Sequence, residues 1–187
     1  MTPRLRKFAL TAHITASVGW LGTVAAFLAL AVAGLSNQDA QMVRGAYLAM
    51  GLMAWYVILP LCLTSLLTGL IQSLGTRWGL FRHYWVLMKL VINVLSTMIL
   101  LIHMQPISYL AGVAAETSLS SGDHLQVRIQ MVVASGAAVL ALLVATTLSV
   151  YKPRGMTAYG RRKQHEEQER RALQRPQQDE QRTVPQP

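Results

Sequence analysis

Four long apolar runs, separated by short polar stretches, set the plan of this chain. They fall at about 8–34, 46–74, 85–104 and 127–151. Each is at least about as long as the roughly 20 residues a helix needs to cross a bilayer's hydrocarbon core at 1.5 Å rise per residue. The pattern predicts four membrane-spanning helices. The third run carries the clearest internal pattern. Lys89, Asn93, Ser96 and His103 fall at i, i+4, i+7 and i+14, with Leu100 at i+11. That spacing gathers them on one side of a helix. A polar stripe inside a membrane helix turns toward other helices and away from lipid.

The other runs carry faces of their own. Ala9, Ala12, Ala16, Gly19, Thr23 and Ala26 recur at steps of three and four along the first, with His13 at the edge of that face. Small residues so spaced let a neighbouring helix approach closely. Ala31 and Ala33 resemble a signal-peptide cleavage site, but an apolar run of about 27 residues is too long for a signal core, so the first run is read as an uncleaved span. In the second, Tyr47, Gly51, Ala54, Ile58, Leu61, Ser65, Thr68 and Gln72 share a face. Pro60 lacks a backbone donor and clashes with the Tyr56 carbonyl, which predicts a kink. In the fourth, Arg128, Ser135, Leu142, Thr146 and Ser149 share a face. Ser36 followed by Asp39 suggests a helix start, Ser121-Gly-Asp123 with Gln126 suggests a turn and cap, and 107–115 suggests a short interfacial helix.

Composition agrees with this plan. The 187 residues are 52% hydrophobic and 13% charged, with a mean hydropathy of +0.35. A soluble domain carries about twice that charge. Nine of the 17 Lys and Arg and five of the eight acids lie from Lys152 onward. That tail is rich in Gln, Glu and Arg, and it has too few apolar residues to bury a core. It is expected to be disordered, with i,i+4 pairs such as Glu166–Arg170 supporting a transient helix. The net charge of +9 flanks hydrophobic runs, so it points to membrane topology and not to nucleic-acid binding. Basic residues precede the first span, lie between the second and third, and follow the fourth. The three remaining acids (Asp39, Glu116, Asp123) lie in the other two loops. The expected fold class is therefore an all-α membrane protein. It is a four-helix transmembrane bundle over 1–151 with both termini cytoplasmic, and 152–187 forms a disordered tail.

With that topology His13, Thr68, Lys89 and Thr146 each lie roughly 6–10 Å inside the cytoplasmic edge, with Asn93 one layer deeper. Two readings follow for these five residues. They serve as hydrogen-bonding glue, with Lys89 reaching to the interface. Alternatively they line a small cationic site for an anion, a lipid headgroup or a proton-linked ligand. No Asp or Glu lies within a span, which argues against a carboxylate-driven carrier. At the other face, His103 is expected near Tyr47 and Arg128. A copper reading gathers His103, Met104 and Met131, with Met50 and Met53, as soft ligands for Cu(I). A bis-histidine haem site lacks two histidines at one depth: His13 and His103 fall toward opposite faces. Cys62 alone supplies no disulfide and no zinc site. No nucleophile–base arrangement or phosphate loop occurs, so the chain is expected to be non-enzymatic, without a cofactor. Its expected partners are the lipid bilayer and either a second copy or another membrane protein.

Phe8-Ala-Leu-Thr-Ala-His13, Val18-Gly-Trp20-Leu-Gly22, the proline-containing second run, Gly79-Leu-Phe-Arg-His83-Tyr-Trp85 with Lys89, Gln105-Pro-Ile and Tyr151-Lys-Pro-Arg-Gly155 together resemble an uncharacterised family of predicted four-helix bacterial integral membrane proteins, of actinobacterial type. The resemblance covers roughly residues 4–163. It implies four spans in a bacterial plasma membrane and no particular chemistry. His13 followed by Trp20 and Gly22 also loosely resembles the first helix of copper-resistance D-type membrane domains, which would imply copper handling.

Overall fold

The computed structural model describes residues 2–75, 84–116, 124–151, 157, 161–170 and 172. The described residues are helical almost throughout. Helix α1 spans Pro3–Ser36, α2 Ala40–Met53, α3 Leu59–Gly75, α4 Tyr84–Glu116 and α5 Leu125–Tyr151. A π-helical turn, Ala54–Ile58, joins α2 to α3 without a break, so the two form one span. Among the described residues four helices are therefore long and apolar enough to cross a membrane, as in a multi-pass membrane protein.

The caps are local chemistry. The Thr2 hydroxyl accepts from the Leu5 amide at 3.4 Å and starts α1. Asn37 accepts from the Asp39 amide at 2.9 Å, and Asp39 accepts from the Gln41 amide at 2.9 Å, so Asp39 is the cap of α2. Ser36, suggested by the sequence as that cap, instead donates to the Val32 carbonyl in the last turn of α1. His124 holds φ at 53° ahead of α5, and Tyr109 packs edge-on to its ring at 5.4 Å.

Two boundaries differ from the apolar pattern. The third span continues through Pro106 to Glu116 as one helix, and no separate helix forms at 107–115. Proline removes a single donor, and the carbonyl thereby freed lies on Ile102, a position at the helix exterior. Two residues beyond Pro106 α4 is re-anchored, with the Trp55 indole donating to Ser108 at 3.0 Å. The kink expected at Pro60 takes the form of the π turn just before it. There the Leu59 amide reaches back five residues to Ala54. In the tail, residues 161–170 are helical and carry an exposed Arg162–Glu166 pair at 3.4 Å. The turn suggested at residues 121–123 and the basic loop at 76–83 lie outside the described residues.

The spans pack as a closed ring: α1 against α2, α3 and α5, and α4 against α2, α3 and α5. The hydrogen bonds fix their directions. The start of α1 meets the end of α3 through Gln72 and the Ala9 carbonyl, at 2.9 Å. The start of α2 meets the end of α4 through Arg44 and the Ala115 carbonyl, at 2.9 Å. The end of α1 meets the start of α5 through Arg128 and the Gly34 carbonyl. Successive spans are thus antiparallel. The core is a seam of large side chains, among them Trp20, Val24, Phe27, Tyr47, Met50, Leu110 and Met131. On α1 the buried line runs Ala9, His13, Ala16, Trp20, Val24, Phe27, Ala31, so His13 sits within the buried face and Ala26 is exposed. The outward surface carries leucines, isoleucines and valines along every span, as lipid contact requires.

Candidate functional site

Three groupings of buried polar chemistry are built by these helices. The first lies at the end of the bundle that holds the start of α1. His13 is buried against Gly69, where a Cβ would sit 3.0 Å from the ring Cε1. Its Nδ1 lies 3.1 Å from the Ser65 carbonyl and 3.1 Å from the Thr68 hydroxyl. Thr68 already donates to the Thr64 carbonyl at 2.6 Å. The Ser65 carbonyl can only accept, so His13 Nδ1 carries the proton and Nε2 the lone pair. Ser17 and Ser65 share a 2.7 Å hydrogen bond one turn deeper. Lys89 on α4 is half-buried and within electrostatic reach of His13. Asn93 is buried one turn along. Its carbonyl accepts from Thr97 at 2.7 Å, and the Thr97 hydroxyl lies 3.1 Å from the Cys62 sulfur.

The structure thus brings His13 and Thr68 into contact and sets Lys89 within electrostatic reach of them, with Asn93 buried on the same face of α4. Thr146 is not part of this group. It is exposed and donates to its own helix, to the Leu142 carbonyl at 2.8 Å, while Ala145 takes the buried position. The heptad-like spacing from Arg128 through Ser135 to Leu142 carries the face that far, and one more step of four overshoots it.

The second grouping is at the opposite end. Arg128 has no solvent-exposed surface. It donates to the Tyr47 hydroxyl at 2.9 Å and to the Gly34 carbonyl, and its guanidinium lies 5.6 Å from the Tyr47 ring centre. The phenol ring occupies the space a Gly34 side chain would need: a Cβ there would meet Tyr47 Cζ at 2.9 Å. Three helices meet in this knot. The pairing of Tyr47 with Arg128 matches their expected depth, but His103 is not among their partners.

His103 belongs to the third grouping, between α4 and α5. Its Nδ1 donates to the Ile99 carbonyl at 2.8 Å, and its Nε2 faces the Gln130 amide at 3.4 Å. Below it lies an apolar cavity of about 440 Å³, walled by Trp20, Val24 and Phe27 of α1, Ile92 to Ile107 of α4 and Met131 to Ala141 of α5. His103 and Met131 line it, whereas Met104 is buried in the core and is not among its walls. Of the three residues of the copper reading, two line the cavity and Met104 shares the buried core with Met131. Among the described residues no cluster of three or more His, Cys, Asp or Glu could hold a metal. The cavity was missed in the sequence. Its signal is the small-residue face Ala134, Ser135, Ala137, Ala138 and Ala141, which leaves room opposite the long side chains of α4.

Comparison with protein-family models, curated proteins and solved structures yields no match for this chain.

Proposed function

We propose that the protein is a non-enzymatic structural or accessory component of a bacterial plasma membrane, with both termini cytoplasmic, and that its inner polar layer joins helices. The observation that carries this reading is that the polar groups of α1 and α3 in that layer bond one another across the helix contact. The His13 N–H is taken by Ser65 and Thr68, Ser17 by Ser65, and Gln72 by the Ala9 carbonyl. Polar groups so engaged hold membrane helices together, each at about 0.6 kcal/mol and up to about 1.7 kcal/mol. The orientation rests on the excess of Lys and Arg at the chain ends and between the second and third spans.

A second reading is a small anion or headgroup site between His13 and Lys89. It is favoured by the half-buried Lys89 ammonium and by a His13 Nε2 that carries no hydrogen bond among the described residues. Thermal unfolding of the protein in nanodiscs separates the two. Inorganic phosphate and anionic lipid should each leave the midpoint of wild type unchanged, and Lys89→Leu should behave likewise. A phosphate-dependent rise in wild type that Lys89→Leu abolishes would replace the first reading with the second. Metal analysis and an absorption spectrum of the same preparation should show a colourless, metal-free protein. Stoichiometric copper lost in His103→Ala would instead support metal handling.

A further inference from the structure

The cavity between α1, α4 and α5 is separate from the inner polar layer, and its shape is specific. Its wall on α4 runs from Ile92 to Ile107, about 22 Å at helical rise. That length suits an extended hydrocarbon chain lying along the helix. Leu95, Ile99 and Ala137 line the cavity and are also exposed at the bundle surface, so it opens sideways at bilayer depth. Up to His103, the hydroxyl groups among its described wall residues are those of Ser96 and Ser135. Ser135 donates to the Met131 carbonyl at 2.6 Å.

Toward the α5 start the character changes. A second, outward-facing cavity of about 400 Å³ shares His103, Ala134 and Ala137 with the first and adds Gln126 and Gln130. Among the described residues, no Lys, Arg, Asp or Glu lines either cavity. Arg128 is turned the other way, onto Tyr47 and Gly34. The described polar groups of the mouth, His103, Gln126 and Gln130, are uncharged side chains that complement an uncharged head. Because Nδ1 of His103 donates to Ile99, Nε2 is an acceptor, while the Gln130 amide N–H is a donor whose 3.4 Å contact to that nitrogen is long. A hydroxyl serves both, donating to His103 and accepting from Gln130. A quinone offers acceptors alone and leaves His103 unserved.

We propose that this cavity is a binding site for a neutral, single-chain or prenyl lipid alcohol, with the hydrocarbon between α4 and α5 and the hydroxyl between His103 and Gln130. The assignment does not depend on the role of the inner polar layer.

The probe is dodecanol carrying a photoreactive diazirine in its chain, presented to the full-length protein in nanodiscs and mapped by mass spectrometry. Labelling is expected on the cavity walls of α4 and α5. It should fall about tenfold in Ala134→Leu/Ala138→Leu, which fills the space, and stay unchanged in Ala25→Leu, which faces outward. His103→Leu should weaken dodecanol labelling by up to about tenfold, as loss of one hydrogen bond allows, while labelling by the matching photoreactive alkane persists. An unchanged unfolding midpoint in the filled variant shows that it folds. Labelling of exposed Leu63 and Leu67 on α3 equal to that of the cavity walls, or insensitive to the filled variant, would overturn the site. Competition by a quinone or the plain alkane as effective as by dodecanol would overturn the hydroxyl assignment.

Discussion

At the scale of single residues, the knot around Arg128 shows how a charged group becomes tolerable inside a membrane protein. The guanidinium is fully buried, and its donors reach the Tyr47 hydroxyl and the Gly34 carbonyl. A hydrogen bond to a charged group contributes about 1.5–3 kcal/mol, and breaking it leaves a buried charge short of a partner. Tyr47→Phe keeps the ring and removes only the hydroxyl. It should lower stability by about 1.5–3 kcal/mol in thermal unfolding of detergent-solubilised protein. Gly34→Ala tests the same knot from the other side. Its Cβ would lie 2.9 Å from Tyr47 Cζ, so the ring must move, at a cost of about 1–3 kcal/mol. The two changes strike one contact, so their costs should fall short of additive when combined. Arg128 and Tyr47 were legible as residues at a common depth. Gly34 was not, because its role depends on a ring from another helix passing over it. The sequence pattern puts His13 at the edge of a small-residue face, and the structure buries it in the seam. The sequence pattern weighted the alanines, whereas the packing is governed by Trp20, Val24 and Phe27 on the same line.

Among the elements, the second span is the instructive one. Its buried positions Met50, Ala54, Ile58 and Cys62 step by four. On an α-helix each such step drifts about 40°, so three steps would carry Cys62 off the seam. The π turn at Ala54–Ile58 takes up that drift and places Tyr47 on Arg128 and Ser65 on His13 in the same span. Deleting exposed Val57 together with Pro60→Ala should convert the turn to regular α-helix and still yield a monodisperse protein on size exclusion. Deleting exposed Leu67, in the α-helical part, rotates Gly69 and Gln72 away from α1 by about 100° and should give aggregated or absent protein. Pro60 made a distortion foreseeable. That it would be a π turn follows from contacts with two other helices, which no local pattern reveals. Pro106 misled in the opposite sense: a proline beside Gln105 reads as a helix end, yet α4 runs through it and is anchored beyond by Trp55 and Ser108.

For the whole molecule, the four spans and their polar faces were legible because lipid leaves a helix only two environments, and a stripe of Lys89, Asn93, Ser96 and His103 declares which side is which. The stripe does not act as one unit. Lys89 and Asn93 belong with His13 and Thr68, while Ser96 and His103 line the cavity. The cavity was illegible because its volume is a difference between helix spacing and side-chain size, and spacing is a property of the assembled ring. In the tail, residues 161–170 form a helix with exposed charges. Its Arg162–Glu166 pair is exposed, and such pairs are worth a few tenths of a kcal/mol at most. Truncation after residue 157 should leave the unfolding midpoint within the equivalent of about 0.5 kcal/mol.

The claim at the centre of this account is that the inner polar side chains are joints between helices. A double-mutant cycle between His13→Leu and Thr68→Val, read by reversible unfolding in mixed micelles, tests it most directly. The account predicts a favourable coupling of about 0.6–1.7 kcal/mol between α1 and α3. Strictly additive losses, with no coupling between the two residues, would contradict it.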